Sequence, residues 1–277
     1  MRTCLCLLVA AASACSQEFA LEPRWTPGDA ILVEEETRLE AKAKATIQGV
    51  WGDPSGKTTR KERYLERKTR AYRQEVLEAE GDRLKIVREY SESTKELLKP
   101  SGKAETSEKT AIHGRKVTIH RNGKTQLVTS EQGLVLGDDV GDATFFDQVV
   151  ALLPKEPVKI GATWDVDATA LGEAIFHGQY NANLMSVKGK GKLVDVTGKE
   201  GDRVAKLALD WSVDVEHTKG NAGIEYRMTG TARFHVDKGR FLSLDAKGPV
   251  ELLFTLLNDR LEMEGEFRVT YRAKEEE

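Results

Sequence analysis

The feature that most constrains this chain is an apolar/polar alternation of period two, repeated along most of its length. From Ile31 to Ile47 the odd positions read Ile31, Val33, Glu35, Thr37, Leu39, Ala41, Ala43, Ala45 and Ile47, while Glu34, Glu36, Arg38, Glu40, Lys42 and Lys44 lie between them. Successive side chains of a strand point to opposite faces, so this pattern describes a strand with one buried and one wet face. The C-terminal third repeats it. Ala205, Leu207, Leu209, Trp211, Val213 and Val215 alternate with polar residues; so do Tyr226, Met228, Gly230, Ala232, Phe234 and Val236, and Leu261, Met263, Gly265, Phe267, Val269 and Tyr271. One wet face is the mark of antiparallel sheets, and "HTKGNAG", "DKGR" and "LNDR" supply the turns.

Helix signals are few. Asp142 can cap "ATFFDQVVALL", which Pro154 stops, and Asp167 can cap the shorter "DATALGEAIF". The stretch "RKERYLERKTRAYRQEVLEAE" is rich in helix formers. Against helix stands an echo: "EGDR" occurs at Glu80–Arg83 and at Glu200–Arg203, followed by "LKIV" and "VAKLAL". The second copy sits between two strand-like runs. If the first is also a hairpin turn, residues 59–79 form a long strand, and the chain holds two related meanders.

The N-terminus "MRTCLCLLVAAASACSQEF" carries one Arg, an apolar run and small residues before Cys15, as a short signal peptide does. Ala12-x-Ala14 suits plain cleavage. Ala12-Ser13-Ala14-Cys15 also resembles a bacterial lipobox, with Ala12 where Leu is usual, in which Cys15 is acylated and becomes the mature N-terminus. Cys4, Cys6 and Cys15 are the only cysteines, so the mature chain has no internal disulfide, and one leftover thiol in an exported protein favours lipidation. The expected organisation is a signal peptide at 1–14, a linker at 15–28 and a β-rich domain at 29–277. Within that domain the meanders 29–136 and 158–274 are joined by a helix near 142–153. The net charge of −3 gives no reason to expect nucleic acid as a partner, and no later apolar run is long enough to cross a bilayer as a helix.

"GDPSGKT" at 52–58 invites comparison with a phosphate-binding loop. That loop needs Gly five residues before Gly56, where this chain has Trp51, and Pro54 removes a backbone donor from the cradle. It reads as a turn. Asp138, Asp139, Asp142 and Asp147 cluster but lack the ladder and closing Glu of a calcium loop. His113, His120, His177, His217 and His235 are scattered, and no catalytic constellation stands out. Neither a cofactor nor a metal is expected. Lys57, Arg60, Lys61, Arg63, Arg67, Lys68, Arg70 and Arg73 outnumber Glu62 and Glu66, which reads as a solvated strand face or, failing that, a surface for anionic headgroups. Gly189 and Gly191 share the inward face with Val187 and Leu193, marking a bend or room for something against the sheet.

The phrase Leu153 to Trp164 in "ALLPKEPVKIGATWDVD" resembles a family of exported bacterial proteins and lipoproteins. "EVLEAEGDRLKIVREY", "IHGRKVTIHRNGK" and "DKGRFLSL" extend the resemblance over most of the mature chain. It implies a β-rich envelope protein and assigns no activity or functional residue.

Strands of ~18 residues at roughly 3.3 Å each reach about 60 Å, and one or two short helices cannot cover so broad an apolar face. Either two sheets pack face to face, or one strongly curved sheet, a half-barrel, folds over the helices and leaves an apolar trough. The trough predicts a non-enzymatic envelope protein that holds a lipid or acyl chain, lined by residues such as Trp211, Met228, Phe234, Met263 and Phe267. The alternative is a structural or protein-interaction lipoprotein with a self-packed core.

Overall fold

The computed structural model describes residues 17–48, 57–99, 101–123, 125–135, 145–168, 171, 185–216, 222–256 and 259–276. The N-terminal half forms β1 (Glu18–Phe19), β2 (Ala30–Gln48), β3 (Lys57–Glu80), β4 (Arg83–Leu98), β5 (Ala104–Lys109), β6 (Lys116–Asn122), β7 (Thr125–Ser130) and β8 (Gly133–Leu134). A 3-10 helix (Phe145–Leu152) follows. Then come β9 (Val158–Lys159), β10 (Thr163–Asp165), β11 (Met185–Thr197), β12 (Val204–Glu216), β13 (Ala222–His235), β14 (Arg240–Leu256) and β15 (Asp259–Glu275).

These strands make one antiparallel sheet in the order β10-β11-β12-β13-β14-β15-β2-β3-β4-β6-β7-β8, with β5 paired to β4 beside this path. The last strand joins the halves: β15 pairs β2 from Arg260↔Thr46 to Glu275↔Ile31. The two meanders therefore share one sheet and one buried face, and the sheet does not close on itself. Outside it, β1 pairs β9.

Residues 57–80 are strand despite their helix formers. β3 pairs β2 along its N-terminal and middle length and β4 along its C-terminal part. Two ladders outweigh a propensity of a few tenths of a kcal/mol per residue. Both copies of "EGDR" turn hairpins: β3 to β4, with Gly81 at φ 54°, and β11 to β12, with Gly201 at φ 91°. "GDPSGKT" lies largely outside the described residues, between β2 and β3, whose ladder runs to Gln48↔Lys57.

The helix expected near 142–153 is a 3-10 helix over Phe145–Leu152, closed by Leu153 N–H donating to Val150 O at 3.0 Å. "FFDQVV" is aromatic and β-branched, and such side chains lose χ1 freedom in an α-helix. Of the second helix candidate only residues 167, 168 and 171 are described, and Leu171 N–H donates to Asp167 O at 2.9 Å. Within the segment expected to be a linker, Phe19 and Leu21 are buried in the core.

One face of the sheet is buried and the other wet, as the alternation requires. The buried face bends sharply along a diagonal of inward glycines. A Cβ on Gly248 would overlap Arg227 O on β13 and lie 2.8 Å from its carbonyl carbon. One on Gly265 would overlap Glu40 O on β2 and lie 2.6 Å from Ala41 Cα. Neighbouring backbones come this close only where strands coil tightly, the role glycine kinks have in curved sheets. At Gly191 the inward space is filled by a side chain: the Trp164 indole lies across it, Nε1 being 2.5 Å from where a Cβ would stand. Val166 and Trp211 close on Gly189 in the same way, at 3.0 Å.

Candidate ligand cavity

Strand register builds the floor of an apolar cavity. Trp211 on β12 faces Met228 on β13, Tyr226 faces Val250 on β14, and Phe267 on β15 lies between Gly248 and Leu39. Leu244 and Val269 complete the floor, and Val149, Leu152 and Leu171 line it from above, bounding a partly open pocket of about 300 Å³. The 3-10 helix supplies Val149 and Leu152 to the cover. Trp164 holds that helix in place, its Nε1–H donating to Leu152 O at 2.9 Å.

Among the described residues no charged side chain lines the cavity, and the polar groups on its lining residues are the Tyr226 hydroxyl and the Trp211 indole N–H. Burial raises the pKa of Tyr226 above the ordinary phenol value, so the hydroxyl stays protonated.

Of the five residues expected to line a trough, Trp211, Met228 and Phe267 lie together here. Phe234 does not; it is fully buried near the far end of β13, edge-on to Phe241 at 5.2 Å, beside a void of about 50 Å³ shared with Trp25 and Tyr271. Met263 does not either. It stands four residues before Phe267, opposite Leu252 and Ala43, half-buried at an open depression bordered by Asp214, Glu251 and Glu262. Shared parity put all five on one face, but position along strands of this length separates them. Leu39, Tyr226 and Val269 carried the same parity signal and needed the register to be placed. Cys15 lies outside the described residues.

A second feature was hidden by that parity. Glu35 occupies an inward position, opposite Tyr271 on one side and Arg70 on the other. Arg70 Nη1 pairs with Glu35 Oε2 at 3.1 Å, and the Tyr72 hydroxyl donates to Glu35 Oε1. Arg88 donates from Nε and Nη2 to Gln74 Oε1 at 2.9 and 2.7 Å, with its guanidinium 4.8 Å from the Tyr72 ring centroid. Glu35, Arg70, Gln74 and Arg88 are all buried. Burial raises the Glu35 pKa; Arg70, Arg88 and the hydrogen bonds to Tyr72 and Arg70 oppose it without cancelling it. Burial also pushes the Tyr90 phenol up to about 12. Arg88 is near enough to oppose that shift, yet no well-formed hydrogen bond reaches the Tyr90 hydroxyl. None of the three cavities above is lined by Glu35, Arg70 or Arg88. The cluster ties β2 to β3 and β3 to β4 through buried side chains.

Within the rest of the basic run Arg63 pairs with Glu40, Arg67 with Glu96, and Arg73 with Glu75 and Glu276. His113 Nδ1 accepts from Ser93 N–H, and His235 bridges Asp202 and Lys238 N–H in a turn. Neither stands in the cavity. Asp138, Asp139 and Asp142, the side chain of Asp147, His177 and His217 lie outside the described residues. Among the described residues no three His, Cys, Asp or Glu side chains come close enough to hold a metal, and no helix is long and apolar enough to cross a membrane.

Fold and site together define an open, single-sheet antiparallel β protein with an apolar cavity under a short helix. No family model matches the sequence, and neither does any curated protein. Among solved structures, an outer membrane channel from Pseudomonas putida F1 aligns over 90% of this chain and 97% of its own, at 7% identity and a TM-score of 0.25. DynF, from the dynemicin biosynthesis pathway of Micromonospora chersina, aligns over 94% of this chain and 86% of its own, at 10% identity and a TM-score of 0.19. Both are distant likenesses in β structure, and scores this low carry no argument about function.

Proposed function

We propose that this chain is an exported cell-envelope protein that performs no catalysis and holds an apolar ligand, a lipid or acyl chain, against the curved face of its sheet. The observation that carries the reading is the cavity bounded by Trp211, Met228, Phe267 and the 3-10 helix. Its volume of about 300 Å³ sits at the lower end of ligand pockets, and its walls are apolar. Protein interiors are otherwise close-packed, and an unfilled space of this size forgoes the dispersion energy its lining could make. An apolar guest recovers it. In the same reading the N-terminal signal sends the chain out of the cytoplasm and acylated Cys15 tethers it to a membrane, where lipids are the abundant apolar molecules.

Native mass spectrometry of the protein purified from its own membranes tests this. A co-purifying lipid-sized adduct, lost on denaturation, is expected, together with a denatured mass showing the acylated Cys15. A bare native protein that also fails to take up added lipid would refute ligand holding and leave the anchored structural or interaction lipoprotein.

A further inference from the structure

The pocket ends against a second, smaller space on the same face of the sheet. The void of about 50 Å³ beside Phe234 shares two lining residues with the pocket, Val149 and Leu244. The strands set the two spaces in line. Passing from pocket to void, β13 runs from Met228 to Phe234, β14 back from Val250 to Phe241, and β15 on from Phe267 to Tyr271. Leu244 stands between the two spaces on the sheet, opposite Ala232 on one side and Tyr271 on the other. Val149, on the 3-10 helix, meets both spaces from above. Both side chains are buried, and interiors packed at crystal-like density leave an alkyl chain no way past such a pair.

We propose that Leu244 and Val149 set the length of the guest, stopping an alkyl chain at roughly ten carbons, the number that about 300 Å³ holds when each methylene takes the ~30 Å³ share of a water molecule in the liquid. This rests on the ligand-holding reading and narrows it to a chain, or a chain end, of that length. The carbons of a longer chain stay outside the partly open pocket and gain little. Leu244→Ala removes an isopropyl group from the partition and joins the void of about 50 Å³ to the pocket, giving room for roughly four more carbons.

The test titrates octyl, decyl, dodecyl and tetradecyl maltosides, each below its micellar concentration, into the delipidated full chain, read by tryptophan fluorescence because Trp211 stands in the pocket wall. Each methylene that becomes buried should tighten binding about fourfold. In the wild type, affinity is expected to rise from octyl to decyl and then to level off, with tetradecyl within about twofold of decyl. In Leu244→Ala the levelling should move to tetradecyl, which should bind at least tenfold more tightly than decyl. Val149→Ala should act in the same direction, and it decides the matter if circular dichroism shows Leu244→Ala unfolded. Wild-type affinity that climbs without a break through tetradecyl, or levelling that stays at decyl in the folded variants, overturns the inference and leaves ligand holding intact. Failure of every maltoside to bind the wild type overturns both.

Discussion

Substituting Ala for Gly191 should destabilise this protein through one side chain on another strand. The backbone at Gly191 does not need positive φ, and in a strand interior Ala is otherwise the better residue. The obstacle is Trp164. A Cβ at residue 191 would lie 2.5 Å from its Nε1 and nearer still to Cε2 and Cζ2. Ordinary contact begins near 3.4 Å, so the indole must retreat by about an ångström or more. That strain costs about 1–3 kcal/mol. The retreat also pulls Nε1 from Leu152 O, the bond that ties the 3-10 helix to the sheet, for about 1 kcal/mol more. The expected loss is about 2–4 kcal/mol, which at an m-value of about 3 kcal/mol/M lowers the urea midpoint by roughly 1 M. Equilibrium unfolding followed by circular dichroism measures it. Trp164→Leu removes the ring, and Gly191→Ala made in that background should cost under about 1 kcal/mol, the non-additivity expected of residues in contact. A midpoint within about 0.2 M of wild type for the single variant, or equal costs in both backgrounds, would refute the reasoning.

Three further outcomes follow from the same geometry. Gly248→Ala and Gly265→Ala, whose Cβ atoms would strike neighbouring backbone, should cost more than Gly189→Ala, which meets side chains at 3.0 Å; a thermal denaturation series that ranks them otherwise disproves the bend they are assigned to. Asp237, held down to about 2 by its hydrogen bonds with Arg203, stabilises the fold above its ordinary pKa of about 3.8 and loses that contribution as pH falls toward 2. Asp237→Asn should therefore flatten the acid limb of the stability curve between pH 4 and 2, and an unchanged limb counts against the pair. Glu35 has the opposite sign: with its folded pKa raised, its contribution is full below the unfolded value near 4.5 and declines as pH rises through the folded one. Urea titrations across this range should show Glu35→Gln lacking that decline; an identical slope in both proteins would mean Glu35 is not shifted upward.

Much of this structure was legible before any coordinates. A side-chain period of two needs only local stereochemistry, so the alternation in Ile31–Ile47, Ala205–Val215 and Leu261–Tyr271 specified strands, their wet and buried faces, and hence an antiparallel sheet. The repeated "EGDR" pointed to two hairpin turns because a tight turn is also local, and so favoured strand for residues 59–79 against their own helix propensity, a choice that the ladders to β2 and β4 decided. Three of the cavity's wall residues, Trp211, Met228 and Phe267, were named from parity alone.

Register and curvature were decided by tertiary structure. Parity says which face a residue shares but not how far along a long strand it sits, so Phe234 and Met263 fell away from the cavity. It reports polarity only on average, so Glu35, at an apolar-series position, and Arg70, in a run read as solvated, became buried partners across β2 and β3. Gly191 and Trp164 are far apart in sequence, and nothing local says that one leaves the space the other occupies. The joining of two meanders through β15 and β2 depends on pairs more than two hundred positions apart, such as Arg260 and Thr46, and the close approach of strands at Gly248 and Gly265 depends on how neighbouring strands coil together. Local chemistry wrote the strands; the space between them exists only once the sheet has formed and bent.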